Sequence, residues 1–537
     1  MPSVTHPRTL APAVLVPILL ISVLGAVVGM QLLTTLGVTP NTSLIGALLA
    51  MVIGRLPLAP LRVFRSVHAQ NLAQSAISAA TFGAANSLLL PMGVPWVLGR
   101  PDLVLPMFVG VALAMLLDAT LLYRMFDTPA FPATGAWPPG RAAAEAIRAG
   151  DEGGKRGALL GGSVALGMLG SWLHVPMAAF GTAFIGNAWA LAMFGCGLLA
   201  SGYGGRVAGV DLLALRIPHG MMIGAGLVAL GQVVASMRGG SRGGNPGGAP
   251  NAVDGQETSR PHDGGVGRTM AFGFAGFVTI AAIIALAGGA WAELQPLQLA
   301  AFIVYAALAA LVHEILVGLA AMHSGWFPAF AVALITLIVG MLLGFPPVPL
   351  ALLAGFSVST GPAFADMGYD LKAGFLLRDE GRDAAFERVG RREQFIAAMA
   401  AFLTAGVVVL LAWRGYFARD LVPPVARVYV ATIQSGVEPG VARALLLWAI
   451  PGAVLQLAGG SARQLGVLLA TGLLIANPAA GWAVLAGLVV RLAVPRLRPR
   501  TDPRALEAMA AGFIAGDALF AFGDAMVRQG GSASRGR

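Results

Sequence analysis

The sequence predicts an all-α polytopic membrane protein of about 14–16 transmembrane or re-entrant helices, counted as apolar stretches of bilayer-spanning length. Three observations carry this prediction. Mean hydropathy is +0.78 and only 11% of residues are charged, less than half the share of an ordinary soluble domain. Apolar runs recur from end to end. The 72 glycines suit helices that pack closely, or break, inside a bilayer. The net charge of +10 reads as cytoplasmic loops rather than a nucleic-acid surface. The single Cys196 excludes an intramolecular disulfide and a cysteine-based metal site.

The run 10–36 is too long for the apolar part of a signal peptide and no small-residue cleavage site follows it, so it reads as the first span. Runs at 42–61, 68–98 and 102–123 come next. In the third run, Asn71, Gln74, Ser75 and Ser78 fall at i, i+3, i+4 and i+7, one face of a helix. A polar stripe in lipid must face protein, water or solute. It is predicted to line a central polar cavity and bind substrate; the bland alternative is hydrogen bonding between helices. "WPPGRAAAE" (137–145) reads as a Pro/Gly turn opening a short helix with Glu145. Runs 157–173, 176–203 and 207–237 complete the first half, with a turn expected at Pro218-His219-Gly220.

Residues 239–268 form a Gly-rich polar linker with almost no apolar side chains to bury. It divides an N-terminal membrane half, 1–238, from a C-terminal one, 269–537. The echo of "LLASG" (198–202) in "LLATG" (468–472) adds weak support for two repeats. Runs follow at 269–292, 296–321, 326–345, 347–365, 394–413, 425–457, 463–494 and 504–527, with a turn expected at Asn477-Pro478.

The run 296–321 contains adjacent His313 and Glu314. Ionisable residues at such depth mark proton relays or structural polar pairs. A zinc protease motif is excluded, because Val317 occupies the second histidine's place. Asp366 and Asp370 share a helix face just after the run 347–365, with Lys372 off that face. They read as the end of a span at a cytoplasmic mouth. Asp517 and Asp524 share a face of the last helix, where the bland reading leaves them in water. Most of the 35 Lys and Arg cluster near 55–65, 124–156, 238–268, 372–392 and 491–504. With all five clusters cytoplasmic, the N-terminus is cytoplasmic too. "GGKR" (153–156) is not a phosphate-binding loop, since no Ser or Thr follows Lys155.

Four motifs, in order, resemble the oligopeptide transporter (OPT) superfamily, which includes the yellow-stripe-like metal-chelate transporters. Asn71 to Ala79 looks like N-x-x-Q-[ST]-x-x-S-A. Trp137, Pro138, Gly140 and Glu145 lie in a stretch similar to F-P-E-G-T-A-x-A-E. The stretch from Asp366 through Asp370 and Lys372 to Gly374 resembles D-x-x-x-D-L-K-T-G, with Arg392 and Gln394 downstream. Gly516 and Asp517 lie in a counterpart of I-A-G-E-G-L. Trp137, Pro139, Arg141 and Asp517 depart from the family's Phe, Glu, Thr and Glu. The resemblance implies about 16 spans arisen by duplication and proton-coupled symport of oligopeptides, modified peptides or metal–chelator complexes. Its partners are then a small-molecule or peptide substrate, protons and the lipid bilayer, with no nucleic acid and no cofactor. An uncoupled channel or facilitator is the alternative. No enzyme motif is present. The expected proton-coupling residues are Glu314, His313, Asp366 and Asp370, and the expected location is a cell membrane of the bacterial inner-membrane type.

Overall fold

The computed structural model describes residues 6–36, 43–207, 209–239, 265–436, 440–475, 477–497 and 503–535. Among these the chain is helical, with no strand and one isolated bridge between Phe126 and Phe131. The first half runs α1 (Pro12–Leu36), α2 (Ser43–Arg55), α3 (Val67–Phe82), α4 (Leu90–Val97), α5 (Val104–Met125), α6 (Pro138–Glu152), α7 (Gly154–Trp172), α8 (Met177–Ile185), α9 (Ala188–Val207) and α10 (Ile217–Gly239). The second runs α11 (Gly265–Ala287), α12 (Pro296–Ser324), α13 (Ala329–Leu342), α14 (Pro347–Ser359), α15 (Pro362–Leu377), α16 (Ala384–Ala418), α17 (Pro424–Ser435), α18 (Val441–Arg463), α19 (Leu465–Ile475), α20 (Pro478–Leu497) and α21 (Pro503–Arg535). The expected linker lies almost wholly at 240–264, outside the described residues.

Eight helical stretches among the described residues are long and apolar enough to cross a bilayer: α1, α3–α4, α5, α11, α12, α14–α15, α16 and α18. Shorter apolar helices include α13, α19 and α20. Leu446, Ile450, Val454 and Leu457 run down one side of α18, each at least 60% exposed. That is the face of a helix meant for acyl chains, while polar groups turn inward.

Two 31-residue rods, Val67–Val97 and Pro347–Leu377, occupy the centre and lie antiparallel, α3 against α15 and α4 against α14. Both are irregular at mid-length. The first widens into π-helical turns over Gly83–Leu89, a distortion that often accompanies function. The second breaks between Thr360, which is extended, and Gly361, at φ +96°. Only glycine takes that backbone without strain.

The outer helices interleave the two halves. α7 packs on α21, α10 on α18 and α19, α9 on α19 and α20, and α8 on α20 and α21. Exchanging α7, α8, α9 and α10 for α18, α19, α20 and α21 turns each contact into another of the same set. Small residues permit the close approach: a Cβ on Gly167 would lie 3.1 Å from the Cα of Gly516, and one on Gly197 would lie 3.0 Å from the Cα of Gly472.

Several boundaries differ from the sequence expectation. The run 176–203 is two helices, because Asn187 stops α8 and caps α9, its Oδ1 accepting from the Trp189 and Ala190 N–H groups. Asn477 caps α20 likewise, accepting from Ala480 N–H at 3.0 Å, so the turn expected there is present. Pro218-His219-Gly220 makes no turn within a helix. It opens α10, where a proline's missing N–H costs nothing. The "LLASG" and "LLATG" segments lie in α9 and α19, whereas the exchange above matches α9 with α20, so the echo does not join matched helices.

Candidate transport site

α3 starts behind Ser66, whose side chain caps it, and its small side chains allow burial on nearly every face. Asn71, Gln74, Ser75 and Ser78 are at most 1% exposed. They face no acyl chains, and the stripe is sealed against α15 and α16 rather than open as a cavity wall. Gln74 Nε2 donates to Asp370 Oδ1 at 2.6 Å. Ser78 Oγ donates to Asp366 Oδ1 at 2.5 Å. Gln394 of α16 donates from Nε2 to Ser75 Oγ at 3.1 Å and to the Asp370 carbonyl at 2.7 Å. The sequence-predicted substrate stripe and the two aspartates therefore form one layer.

Asp366 and Asp370 are not at the end of a span. The break at Gly361 turns the chain back into helix, so α15 continues for four turns inside the protein with both acids buried. The apolar run ends at 365 because the bundle, not lipid, surrounds the next residues.

Among the described residues the acids have no cationic partner. Lys372 Nζ donates instead to the Ala133 carbonyl at 2.7 Å, 5.5 Å from the Phe375 ring centre. Arg378 forks onto Glu387, at 2.6 and 3.1 Å, and donates to Gln394 Oε1 at 2.7 Å. Meanwhile Asp366 Oδ2, Asp370 Oδ2, Gln74 Oε1 and both amide atoms of Asn71 are buried without a hydrogen-bond partner. Buried polar atoms are normally satisfied, so such a concentration marks a place where something else is bound or exchanged.

His313 and Glu314 do not act as a pair. Adjacent positions on a helix point about 100° apart. His313 Nδ1 meets the Ser357 carbonyl at 2.5 Å and Thr360 Oγ1 at 3.2 Å, tying α12 to the end of α14. Glu314 is buried as well, and its Oε1 has no hydrogen-bond partner among the described residues. Asp118 Oδ2 accepts from Gly361 N–H at 2.9 Å. Sequence reasoning passed over Asp118, although a lone charge inside the run 102–123 was the available signal.

The "WPPGRAAAE" stretch is a docking element. Trp137 takes a left-handed backbone, φ +40°, and its N–H donates to the Met322 carbonyl at 2.8 Å. Its ring fills the space left by Gly368 and meets Tyr369 edge-on at 6.1 Å. Gly140 lets α6 rest directly on the Tyr369 carbonyl. Glu145 pairs with Arg148 at 3.0 Å, which in turn reaches the Leu376 carbonyl. Burial pushes the Glu145 carboxyl up from its ordinary range, against the pull of Arg148.

Gly374 gives room to Gln394 and Arg378. At the far side, Gly516 sits against Gly167. Asp517 is not left in water: it accepts from Ser171 Oγ and, at 3.2 Å, from the Ala178 N–H in the first turn of α8. These motif residues hold helices in place around the α3–α15 layer. Among the described residues no His, Cys, Asp and Glu grouping fits a metal ion.

Spanning helices in interleaved halves, broken at mid-depth around a buried polar layer, define a multi-pass membrane transporter. The chain matches the family described as OPT oligopeptide transporter protein over residues 13–241 and again over 216–527. It belongs to that family, as the four motifs imply. No curated protein matches the chain.

Proposed function

We propose that the protein is a proton-coupled symporter of oligopeptides, modified peptides or metal–chelator complexes, in a membrane of the bacterial inner-membrane type. The observation that carries this reading is the set of buried carboxylates with no cation beside them: Asp366, Asp370 and Glu314. An ionised carboxylate buried without a partner costs several kcal/mol. Such groups take up a proton while the site is shut and give it back when water enters. Asn71, with neither end of its amide engaged, is the stripe residue left to meet the solute. Gln74, Ser75 and Ser78 position the acids and exchange partners as the site opens. His313 fixes the end of α14. The reciprocal packing of the outer helices supports reading the halves 1–238 and 269–537 as repeats.

The test is uptake into proteoliposomes under an inward proton gradient, using a panel of short peptides and metal–chelator complexes with internal pH recorded. Solute should accumulate, internal pH should fall, and a protonophore should abolish both. Glu314→Gln and Asp370→Asn should stop accumulation while sparing solute exchange. Accumulation with wild-type pH dependence in both variants would remove those residues from coupling, and uptake indifferent to the protonophore would favour an uncoupled facilitator.

A further inference from the structure

We propose that residues 6–11 form a lid on the candidate transport site, a strap that must leave its seat on α3 and α16 before water or solute reaches the polar layer from that side. This rests on reading the α3–α15 layer as the transport site and adds the gate through which it opens. Chain ends are poorly ordered unless something ties them down. Here the ties run to residues far along the chain. The Thr9 N–H donates to Glu393 Oε2 at 2.7 Å, and Thr9 Oγ1 donates to the Glu393 carbonyl at 2.8 Å. The His6 ring lies 5.3 Å from His68 and 5.5 Å from Phe386, which itself meets His68 at 5.0 Å. His6 and Thr9 are buried, while Arg8 and Leu10 are exposed.

The seat adjoins the layer at each contact. Glu393 directly precedes Gln394, which holds Ser75 and the Asp370 carbonyl. His68 lies about one turn before Asn71, whose amide is unengaged. A Cβ on Gly390, about one turn before Gln394, would lie 3.0 Å from His6 Cδ2 and 2.7 Å from Arg378 Nε. The histidine ring and the Arg378 side chain therefore share one bare patch of α16, and Arg378 in turn reaches Gln394 at 2.7 Å. The strap spans the starts of α3 and α16, two of the helices that build the layer.

The strap is also the lightly held part of this closure. Among the described residues, two hydrogen bonds to Glu393 and the ring contacts of His6 fasten it, whereas Arg378 beside it is fixed by three charge-assisted bonds. His6 Nδ1 meets only the neighbouring Pro7 carbonyl, and Nε2 is buried with no hydrogen-bond partner. Burying that nitrogen works against docking, and release returns it to water. The strap runs straight into α1, which packs on both α3 and α16, so a tilt of α1 carries the strap with it. The same contacts put the start of the chain beside the basic cluster at 372–392, the side that the charge pattern assigns to the cytoplasm.

Cysteine labelling tests the lid and needs no solute. In a chain carrying Cys196→Ser, which removes the single native thiol, and Ser75→Cys, a membrane-impermeant maleimide is added to vesicles with the strap side outward. Mass spectrometry then follows label at position 75. Adding Thr9→Cys and Glu393→Cys lets a disulfide hold the strap down. Oxidation should nearly stop labelling at position 75, and reduction should restore it. Adding His6→Ala and Thr9→Ala instead loosens the strap and should speed labelling about tenfold, the share of one hydrogen bond and a ring contact. Equal labelling with the strap held and free, or no gain from the loosened strap in folded protein, would overturn the lid. Proteoliposome uptake is scored separately. If labelling follows the strap but wild-type uptake ignores the proton gradient, the coupled reading fails and the lid stands.

Discussion

Replacing Arg378 with Ala tests whether the floor of the candidate site is held by charge. Arg378 is buried at the end of α15. Its guanidinium makes three bonds, two to Glu387 and one to Gln394. Removing one member of a buried ion pair costs about 3–5 kcal/mol, because the other charge is stranded. Glu387 keeps Arg391 at 3.4 Å, which places that loss near the lower limit, about 3 kcal/mol. Gln394 Oε1 also loses its donor, adding about 1 kcal/mol. The expected total is about 4 kcal/mol for Arg378→Ala. Arg378→Lys keeps the charge but not the fork and should lose about 1–2 kcal/mol. Detergent-driven unfolding in mixed micelles measures both. Adding Glu387→Gln to Arg378→Ala removes the stranded charge, so the double loss should fall short of the sum. A loss below about 1 kcal/mol for Arg378→Ala, or strict additivity with Glu387→Gln, would refute the argument. Gln394 also holds Ser75 and the Asp370 carbonyl, so surviving Arg378→Ala protein should transport poorly.

Other substitutions check the close approaches. Gly140→Ala drives a methyl into the Tyr369 carbonyl and to 3.0 Å from Lys372 Cβ, and should cost about 1–3 kcal/mol, read as a lower melting temperature in detergent. Gly361→Ala forces a non-glycine residue to φ +96° against Val317, with about 1–3 kcal/mol of strain; equal stability would show that the break relaxes freely. His6 packs 5.3 Å from His68 and 5.5 Å from Phe386. Burial, aided by Arg378 and opposed by the Pro7 carbonyl contact, lowers its pKa. The folded state therefore favours neutral His6, and its docking is complete above the ordinary histidine pKa of about 6.5 and weakens as pH falls below it. Protease cleavage near residue 6 should accelerate under acid in the wild type, and His6→Gln should weaken that response, the stacked His68 keeping the remainder.

The membrane class and the polar stripe were legible because they are written in local periodicity: Asn71, Gln74, Ser75 and Ser78 share a face whatever surrounds them. What that face meets was not legible. Whether Asp366 lies at a lipid boundary or within a bundle depends on helices distant in sequence, and a hydropathy plot registers only the charge. Proline was an uneven guide to breaks: it marked the turn at Asn477-Pro478, but Pro218 opens a helix where a turn was expected, the break at Gly361-Pro362 was missed, and so was the stop at Asn187, where the cap is an asparagine with no proline after it. The resemblance between Trp137-Pro138-Pro139 at the start of α6 and Val422-Pro423-Pro424 at the start of α17 also went unread. α6 lies on α15 much as α17 lies on α4, a correspondence that the echo at 198–202 obscured. Asp118 was overlooked because one acid among apolar residues forms no motif.

The interleaved outer helices have a consequence for how the chain is made. Ser171 on α7 and Asp517 on α21 are 346 residues apart. At about 5–20 residues per second of synthesis, α7 waits roughly 20–70 s for its partner. Through that interval its glycine face, with Gly167 at the centre, lacks the helix that covers it, and α10 waits likewise for α18. The N-terminal half is then a guest of the insertion machinery rather than a finished unit. Any chain that stops before α21 leaves α7 unpaired, so a late stop codon damages helices laid down in the first third of translation.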